Sequence, residues 1–270
     1  INGLNHRFLS VFITVLTCYY NYNRDVVKMK VEVLGNVQDG GVPHLGCDCE
    51  VCEAARQREN PMFVNSILLK ENDNDSSLRY LFGASPDIRL QIKGDYLDGV
   101  FVSDTHLGDI TGLLWLGQES ANYSGISVYG NGDIEDFIMK NDPFRLLVDR
   151  DNIELQEVRN GDEIKLQGAS VEIREVIERG DYADSLSFMI NGEEKKVYYV
   201  TDLDKWTRDA IEAVEEADIA IVDGCFWSDD EIDRYEEVPH PTVQDTMEQF
   251  SDSDTEIYFT NMNHTNPILR

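Results

Sequence analysis

The sequence predicts an α+β fold in which two β-sheets pack face to face with helices on the outside, all in one domain. Three observations carry this. Short strand and helix patterns are mixed along the chain without internal repeats. Several strands alternate apolar and polar residues, as in Val171-Glu-Ile-Arg-Glu-Val176, which puts one face on a core and one in water. No Pro- or Ser-rich linker divides the 270 residues.

The elements follow in order. β-branched and aromatic runs bounded by turn residues predict strands at Val31–Leu34, Ser66–Lys70, Arg79–Phe82, Gly99–Val102, Ile126–Tyr129 and Ile153–Val158. The same criterion predicts Glu163–Leu166, Val171–Val176, Ser185–Ile190, Lys196–Val200, Ile219–Val222 and Glu256–Phe259. Asn160-Gly161-Asp162 and Asn191-Gly192 read as hairpin turns. Helical spacing predicts Glu50–Arg58, Asp109–Gly117, Gly132–Lys140, Trp206–Ala217, Asp229–Tyr235 and Thr242–Phe250. In the longest of these, Ala210, Ile211, Ala213 and Val214 form an inward stripe.

Charge narrows the function. The chain has 52 acidic and 23 basic side chains, a formal net charge of −29. Such a surface repels polyanions, so nucleic-acid binding through a basic patch is excluded. With 41% hydrophobic residues the chain has enough apolar side chains for a core and is not an acidic disordered segment. An acid excess of this size also fits a high-salt habitat, an expectation that far-UV circular dichroism against salt tests.

The ends need separate treatment. The record begins at Ile1, and the apolar run Phe8–Tyr20 has thirteen residues, too few for a membrane-spanning helix. Its length suits a signal-peptide core, yet Asn21-Tyr-Asn-Arg-Asp25 offers no small-x-small cleavage site. The preferred reading starts the native protein at Met29, treats 1–28 as a leader or non-native extension outside the fold, and assigns 29–270 to the domain. The last residues, Asn266-Pro-Ile-Leu-Arg270, follow a motif with no closing element, so the domain is expected to be truncated there.

Three of the five cysteines sit in Cys47-Asp-Cys49-Glu-Val-Cys52. Three thiols within six residues cannot all pair among themselves, so a disulfide framework is not expected. In a loop with Gly40, Gly41 and Gly46 they can converge on one tetrahedral Zn²⁺ with a fourth ligand from elsewhere. Four protein donors leave no open position, so the site is structural. Such a zinc site also implies a reducing, cytoplasmic location rather than a secreted one. Cys225 reads as a buried small hydrophobe.

Of the five histidines, three lie in motif-like settings: His106, His240 and His264. Val102-Ser-Asp104-Thr-His106-Leu-Gly-Asp109 follows a predicted strand and opens a helix, so Asp104, His106 and Asp109 can aim at one point. His240 is flanked by prolines, and His264 follows the strand ending at Phe259.

These blocks, with Ala84-Ser-Pro-Asp-Ile-Arg89, Val200-Thr-Asp202, Asp223-Gly-Cys-Phe-Trp227 and Asn263-His-Thr-Asn-Pro267, resemble the metallo-β-lactamase-fold family, and within it the pyrroloquinoline quinone (PQQ) biosynthesis protein B branch. The resemblance implies a four-layer αββα sandwich with a metal site at one edge between the sheets. It implies His264 as the fourth zinc ligand, giving Cys47, Cys49, Cys52 and His264, and a bridging carboxylate at Asp202.

The departures are informative. Where the family has His-x-His-x-Asp-His, or His-x-His-x-Gly-His in this branch, the chain has Asp104, His106, Gly108 and Asp109. Asn261 takes the place of a histidine in the closing motif, and Glu178 loosely aligns with another. The expected site is therefore carboxylate-rich: Asp104, His106, Asp109, Glu178 and Asp202 as metal ligands, with Asp109, Asp202 and His240 as catalytic groups. Such donors suit Mg²⁺, Mn²⁺ or Fe²⁺ better than Zn²⁺. The expected cofactors are a structural Zn²⁺ and a second metal (Fe²⁺, Mn²⁺ or Zn²⁺). The expected activity is metal-dependent hydrolysis or oxygenation of a small molecule, with an inactive carrier as the alternative from another class. Neither a membrane nor a nucleic acid is an expected partner.

Other groups have plainer readings. Asp87 and Arg89 form an internal ion pair or orient a ligand; Trp115, Trp206 and Trp227 are expected in the core. Asp229-Asp-Glu231 complements a helix start. Gly130-Asn-Gly132 is a turn.

Overall fold

A computed structural model describes residues 8–10, 15–16, 29–59, 61–71, 78–92, 96–176, 185–231 and 240–270. Its strands are β1 (Phe8–Ser10), β2 (Val15–Leu16), β3 (Met29–Gly35), β4 (Ser66–Glu71), β5 (Arg79–Phe82), β6 (Gly99–Phe101), β7 (Ile126–Gly130) and β8 (Ile153–Glu157). They continue with β9 (Glu163–Leu166), β10 (Ala169–Val176), β11 (Ser185–Gly192), β12 (Lys196–Val200), β13 (Ile219–Asp223) and β14 (Glu256–Thr260). The helices are α1 (Glu50–Gln57), α2 (Ile88–Gln91), α3 (Leu107–Ile110), α4 (Gly132–Lys140), α5 (Asp142–Asp149), α6 (Arg208–Glu216) and α7 (Val243–Gln249).

The strands form two seven-stranded sheets, in the orders β2-β3-β4-β5-β6-β7-β8 and β1-β14-β13-β12-β11-β10-β9. Strand periodicity explains the layering. On β13, Ile219 and Ile221 join the core between the sheets, while Ala220 and Val222 join a second core under α6 and α7. β12 divides likewise: Val197 and Tyr199 point inward, and Tyr198 and Val200 meet the helices with Ala213, Val214, Val243 and Phe250. Both faces of these strands are buried, so their apolar residues run without a break. The result is the αββα sandwich.

Aromatic rings fill the centre. Phe82 stacks on Phe101 at 4.6 Å and meets Phe188 edge-on at 5.2 Å, with Tyr199 at 6.5 Å. Each such pair adds about 0.5–1.5 kcal/mol beyond its buried area. Tyr199 carries this packing to the edge where the site lies.

β5 to β8 are mutually parallel, as are β12, β13 and β14. Their C-terminal ends therefore gather at one edge of the sandwich, where loops can place side chains between the sheets. The backbone N–H of Leu186 donating to the Ser103 carbonyl, at 2.8 Å, ties the two sheets together there.

Several local expectations need correction. Asn160-Gly161-Asp162 is no hairpin: it carries the chain from β8 in one sheet to β9 in the other, with Gly161 at φ +85°. Asn191-Gly192 does belong to a hairpin, but both residues pair within β11 and the turn is 193–195. The helix expected at Asp109–Gly117 starts earlier, as α3, and continues as a 3₁₀ turn over Thr111–Leu116. Asp229–Glu231 is also a 3₁₀ turn, and the rest of the helix expected there lies outside the described residues. Asn131, read as a turn, caps α4 by accepting the Ile134 N–H at 3.1 Å. Two helices were not anticipated: α2, one turn long, and α5, which follows Asn141 with a proline in its first turn.

Trp115 is 38% exposed rather than in the core, with the Arg89 guanidinium 4.6 Å above its ring. Asp87 does not pair with Arg89; its carboxylate accepts the Val64 N–H at 2.9 Å. Among the described residues no helix is long and apolar enough to cross a membrane.

Candidate metal centres

The three cysteines and His264 come together as a cluster whose ligand atoms all lie within 4.8 Å of one another. Cys47 and Cys49 precede α1, and Cys52 lies in its first turn. His264 follows β14 by four residues, and the Asn263 N–H anchors that loop on the Cys225 carbonyl at 3.0 Å. Behind the cluster, Val37, Val42, Val51, Ala55, Met262 and Leu269 form a small core of their own. Arg56 fastens the cysteine loop by donating to the Cys47 and His44 carbonyls at 2.6 and 3.0 Å.

The spacing suits a tetrahedral metal. His264 Nδ1 lies 3.4 Å from Cys47 Sγ and 3.6 Å from Cys49 Sγ. Zn–S of about 2.3 Å and Zn–N of about 2.0 Å at tetrahedral angles put nitrogen and sulfur about 3.5 Å apart. Burial pushes the Cys49 thiol up, but the N–H groups of Cys52 and Val51 at the helix start, with the neighbouring thiols, outweigh it and bring it below the usual value. Cys52 is pushed up to about 11 by burial. Burial and the adjacent His44 ring, 4.6 Å away, hold His264 below its usual value, which favours the neutral imidazole a metal needs. The donor set fits Zn²⁺, with no position left open for chemistry.

The second cluster is built at the strand ends. Asp104 follows β6, Asp109 sits in α3, Asp202 follows β12, Asp223 ends β13, and Asn261 follows β14. Carboxylate oxygens of Asp104, Asp109 and Asp202 lie within 4.8 Å of one another, and so do ligand atoms of Asp202, Asp223 and His240. Asp202 belongs to both groups.

Asp223, fully buried, organises this edge. Its Oδ2 accepts the Asp202 N–H at 2.9 Å and Asn261 Nδ2 at 3.0 Å, and faces His240 Nδ1 at 3.3 Å; its Oδ1 accepts the Cys225 N–H at 2.9 Å. Burial alone would raise this carboxyl, but the His240 charge and these hydrogen bonds hold it below the usual carboxylate range. Asn261 Nδ2 also donates to Asp202 Oδ1 at 3.0 Å. Asp202 and Asn261 adopt left-handed backbone, at φ +55° and +58°. Their side chains thereby reach each other where two parallel strands end.

Asp109 is raised well above the usual range by burial, then by Asp104, Asp202 and Asp39. Asp202 is raised well above it too, by burial, Asp104, Asp223 and Asp39. One oxygen of Asp109 accepts the Ser103 hydroxyl at 2.7 Å. Asp104 Oδ1 accepts the His106 N–H at 2.7 Å, with His106 Nδ1 at 3.3 Å. Asp104 is 1% exposed, yet its Oδ2 has no hydrogen-bond donor. The Thr105 and Thr201 hydroxyls are also buried without partners. Buried polar atoms left unpaired beside repelling carboxylates fit a bound cation.

The three cysteines with His264, and Asp104, Asp109, Asp202 and His240, come together in these groups, whereas His106 only flanks Asp104 and joins neither ligand group. Glu178 lies outside the described residues. Sequence reasoning missed Asp223 as a site residue, although an acid closing the all-apolar Ile219–Val222 was a usable signal. It also missed Asp39, which sits in a Gln-Asp-Gly-Gly turn and reads as turn chemistry.

The beta-lactamase superfamily domain model matches residues 78–260, more than half of the chain. The chain belongs to that family. It is similar to coenzyme PQQ synthesis protein B of Rhizobium meliloti (strain 1021), at 25% identity over 232 residues, covering 76% of this chain and 74% of the relative. Among solved structures it is similar to Zn²⁺-bound PqqB from Methylobacterium extorquens, with TM-score 0.73, 21% identity, and coverage of 90% of this chain and 91% of that one. It is also similar to a diphosphatase from the PhnP family, with TM-score 0.68, 21% identity and 88% of each chain covered. These structural likenesses speak to the fold. The family model shows the superfamily, and the curated relatives it resembles are PQQ synthesis protein B sequences, the branch its motifs also resemble.

Proposed function

We propose that the protein is a metal-dependent hydrolase of a small molecule, with a structural Zn²⁺ at Cys47, Cys49, Cys52 and His264. A divalent cation of harder character would be held by Asp104, Asp109 and Asp202. The observation that carries this is Asp104: a carboxylate 1% exposed, with one oxygen lacking any donor, facing two further carboxylates. Burying such a group is costly unless positive charge accompanies it. The dominance of oxygen donors favours Mg²⁺ or Mn²⁺ and hydrolysis over oxygenation at iron.

When bound, the cation supplies Lewis-acid polarisation and a water of lowered pKa. The chain's own groups do the rest. Without a cation, burial and mutual repulsion raise Asp109 and Asp202; with one bound, that repulsion is relieved and both stay ionised as ligands. Asp223 fixes His240 through Nδ1 at the rim, where its ring is 12% exposed and can meet a substrate. The −29 charge favours a small ligand over a polyanion.

Elemental analysis of the purified chain tests this. We expect about one zinc and at least one further metal equivalent per chain. In Asp202→Ala the zinc stays and the other metal is lost. A single zinc in both proteins would remove the hydrolase reading and leave a binding protein that keeps the fold.

A further inference from the structure

The loop from β3 to α1 brings a carboxylate to the acidic centre that none of the motifs singles out. Asp39 lies beside α3. A Cβ built on Gly108 would stand 2.3 Å from Asp39 Oδ1, so the carboxylate occupies space that only glycine leaves open. It accepts the Gly108 N–H, and it feels the charges of Asp104 and His106. It acts in turn on Asp109, Asp202 and Cys225. Its position is enforced from behind: the Gln38 N–H donates to the Met262 carbonyl at 3.0 Å, and Gly41 closes a turn back to the Gln38 carbonyl at 2.8 Å.

We infer that Asp39 is a positioning residue of the acidic centre. It holds the Asp104–Asp109 loop through the Gly108 N–H and adds its negative charge to the field that draws a hard divalent cation between Asp104, Asp109 and Asp202. The inference rests on the reading of that centre as a cation site. Two functions are separable in it. The hydrogen bond to Gly108 needs only an acceptor, which an amide supplies equally well. The field needs the charge, which an amide lacks, and inside a shielded site a unit charge several ångströms away still acts strongly.

The test is a Mn²⁺ titration of the zinc-containing protein, read by the electron paramagnetic resonance of free Mn²⁺, with zinc content measured in parallel. Wild type binds Mn²⁺, and Asp39→Asn retains its zinc and binds Mn²⁺ about tenfold more weakly or worse. Gly108→Ala, which drives Asp39 away while keeping every carboxylate, weakens Mn²⁺ in the same direction and serves as the second variant should Asp39→Asn fold poorly. A wild type that ignores Mn²⁺ overturns the cation reading itself. Wild-type affinity in Asp39→Asn, with zinc intact, leaves that reading standing and overturns the role of Asp39.

Discussion

The two centres lie at the same end of the sandwich and are assembled by opposite strategies. The cysteine cluster takes three of its four ligands from six consecutive residues, and its donor spacing already matches a tetrahedral ion. The acidic centre draws Asp39, Asp104, Asp109, Asp202, Asp223 and His240 from five separate stretches of chain, and several of these groups repel one another. The first is an attractive site that helps to fold its surroundings. The second is a repulsive site that the rest of the fold must hold in place. Stability should therefore depend on the first, and selectivity and chemistry on the second.

The strongest way to break this contrast is Cys52→Ser. Structural zinc sites contribute on the order of 10–16 kcal/mol of apparent binding energy. The variant is expected to lose its zinc and most of its cooperative thermal unfolding, measured by elemental analysis and calorimetry. Wild-type melting in a zinc-free variant would show that the cluster is not what holds that end together.

Asp223→Ala comes next. It strands the Asp202 and Cys225 N–H groups, Asn261 Nδ2 and His240, and is expected to cost about 3–5 kcal/mol, read by urea unfolding. Asp223 is the one acid here held below the usual range, so its stabilising contribution is present at neutral pH and fades as pH falls through that lowered value. A loss below about 1 kcal/mol would mean that Asp202 and Asn261 hold their geometry unaided.

Asp109→Asn has the smallest expected effect and the opposite sign. A carboxyl raised in the folded state binds its proton more tightly folded than unfolded, so stability falls as pH rises from the ordinary carboxylate range through the raised value. In zinc-only protein the variant should melt roughly 3–6 °C higher at about pH 8, with the gain shrinking toward pH 5. The amide still accepts the Ser103 hydroxyl, so lost hydrogen bonding does not mask the gain. An unchanged melting temperature across this range would show that the carboxylates do not strain the metal-free fold.

Much of the architecture was legible because strand periodicity is a local property with a global consequence. Strands such as β12 and β13, buried on both faces, are near-continuous apolar runs, and Lys196–Val200 reads the same from sequence and structure. The step from β8 to β9 was not legible. Asn-Gly-Asp specifies a reversal, and only the packing of two sheets turns that reversal into a crossover. α5 escaped because its opening Asn-Asp-Pro resembles a loop until the buried Phe144 and Leu147 are seen to face the core. The zinc ligands were readable from spacing, except that His264, over 200 positions away, needed a family resemblance. Asp104, His106 and Asp109 were readable from their place on a strand-to-helix loop, and Asp202 came, like His264, from the resemblance. Asp39 stayed hidden because its meaning is entirely tertiary, a turn residue until its neighbours are known, whereas Asp223 left one local signal, an acid closing an apolar strand.

The left-handed backbone at Asp202 and Asn261 has a consequence for how this protein can change. Each costs an ordinary L-residue about 1–2 kcal/mol, and glycine would relieve it. At Asn261, however, glycine would also erase the bridge to Asp202 and Asp223, so the relief is set against two hydrogen bonds to carboxylates. The two positions thus join backbone strain to the hydrogen bonds that assemble the edge, and neither can be changed without the other.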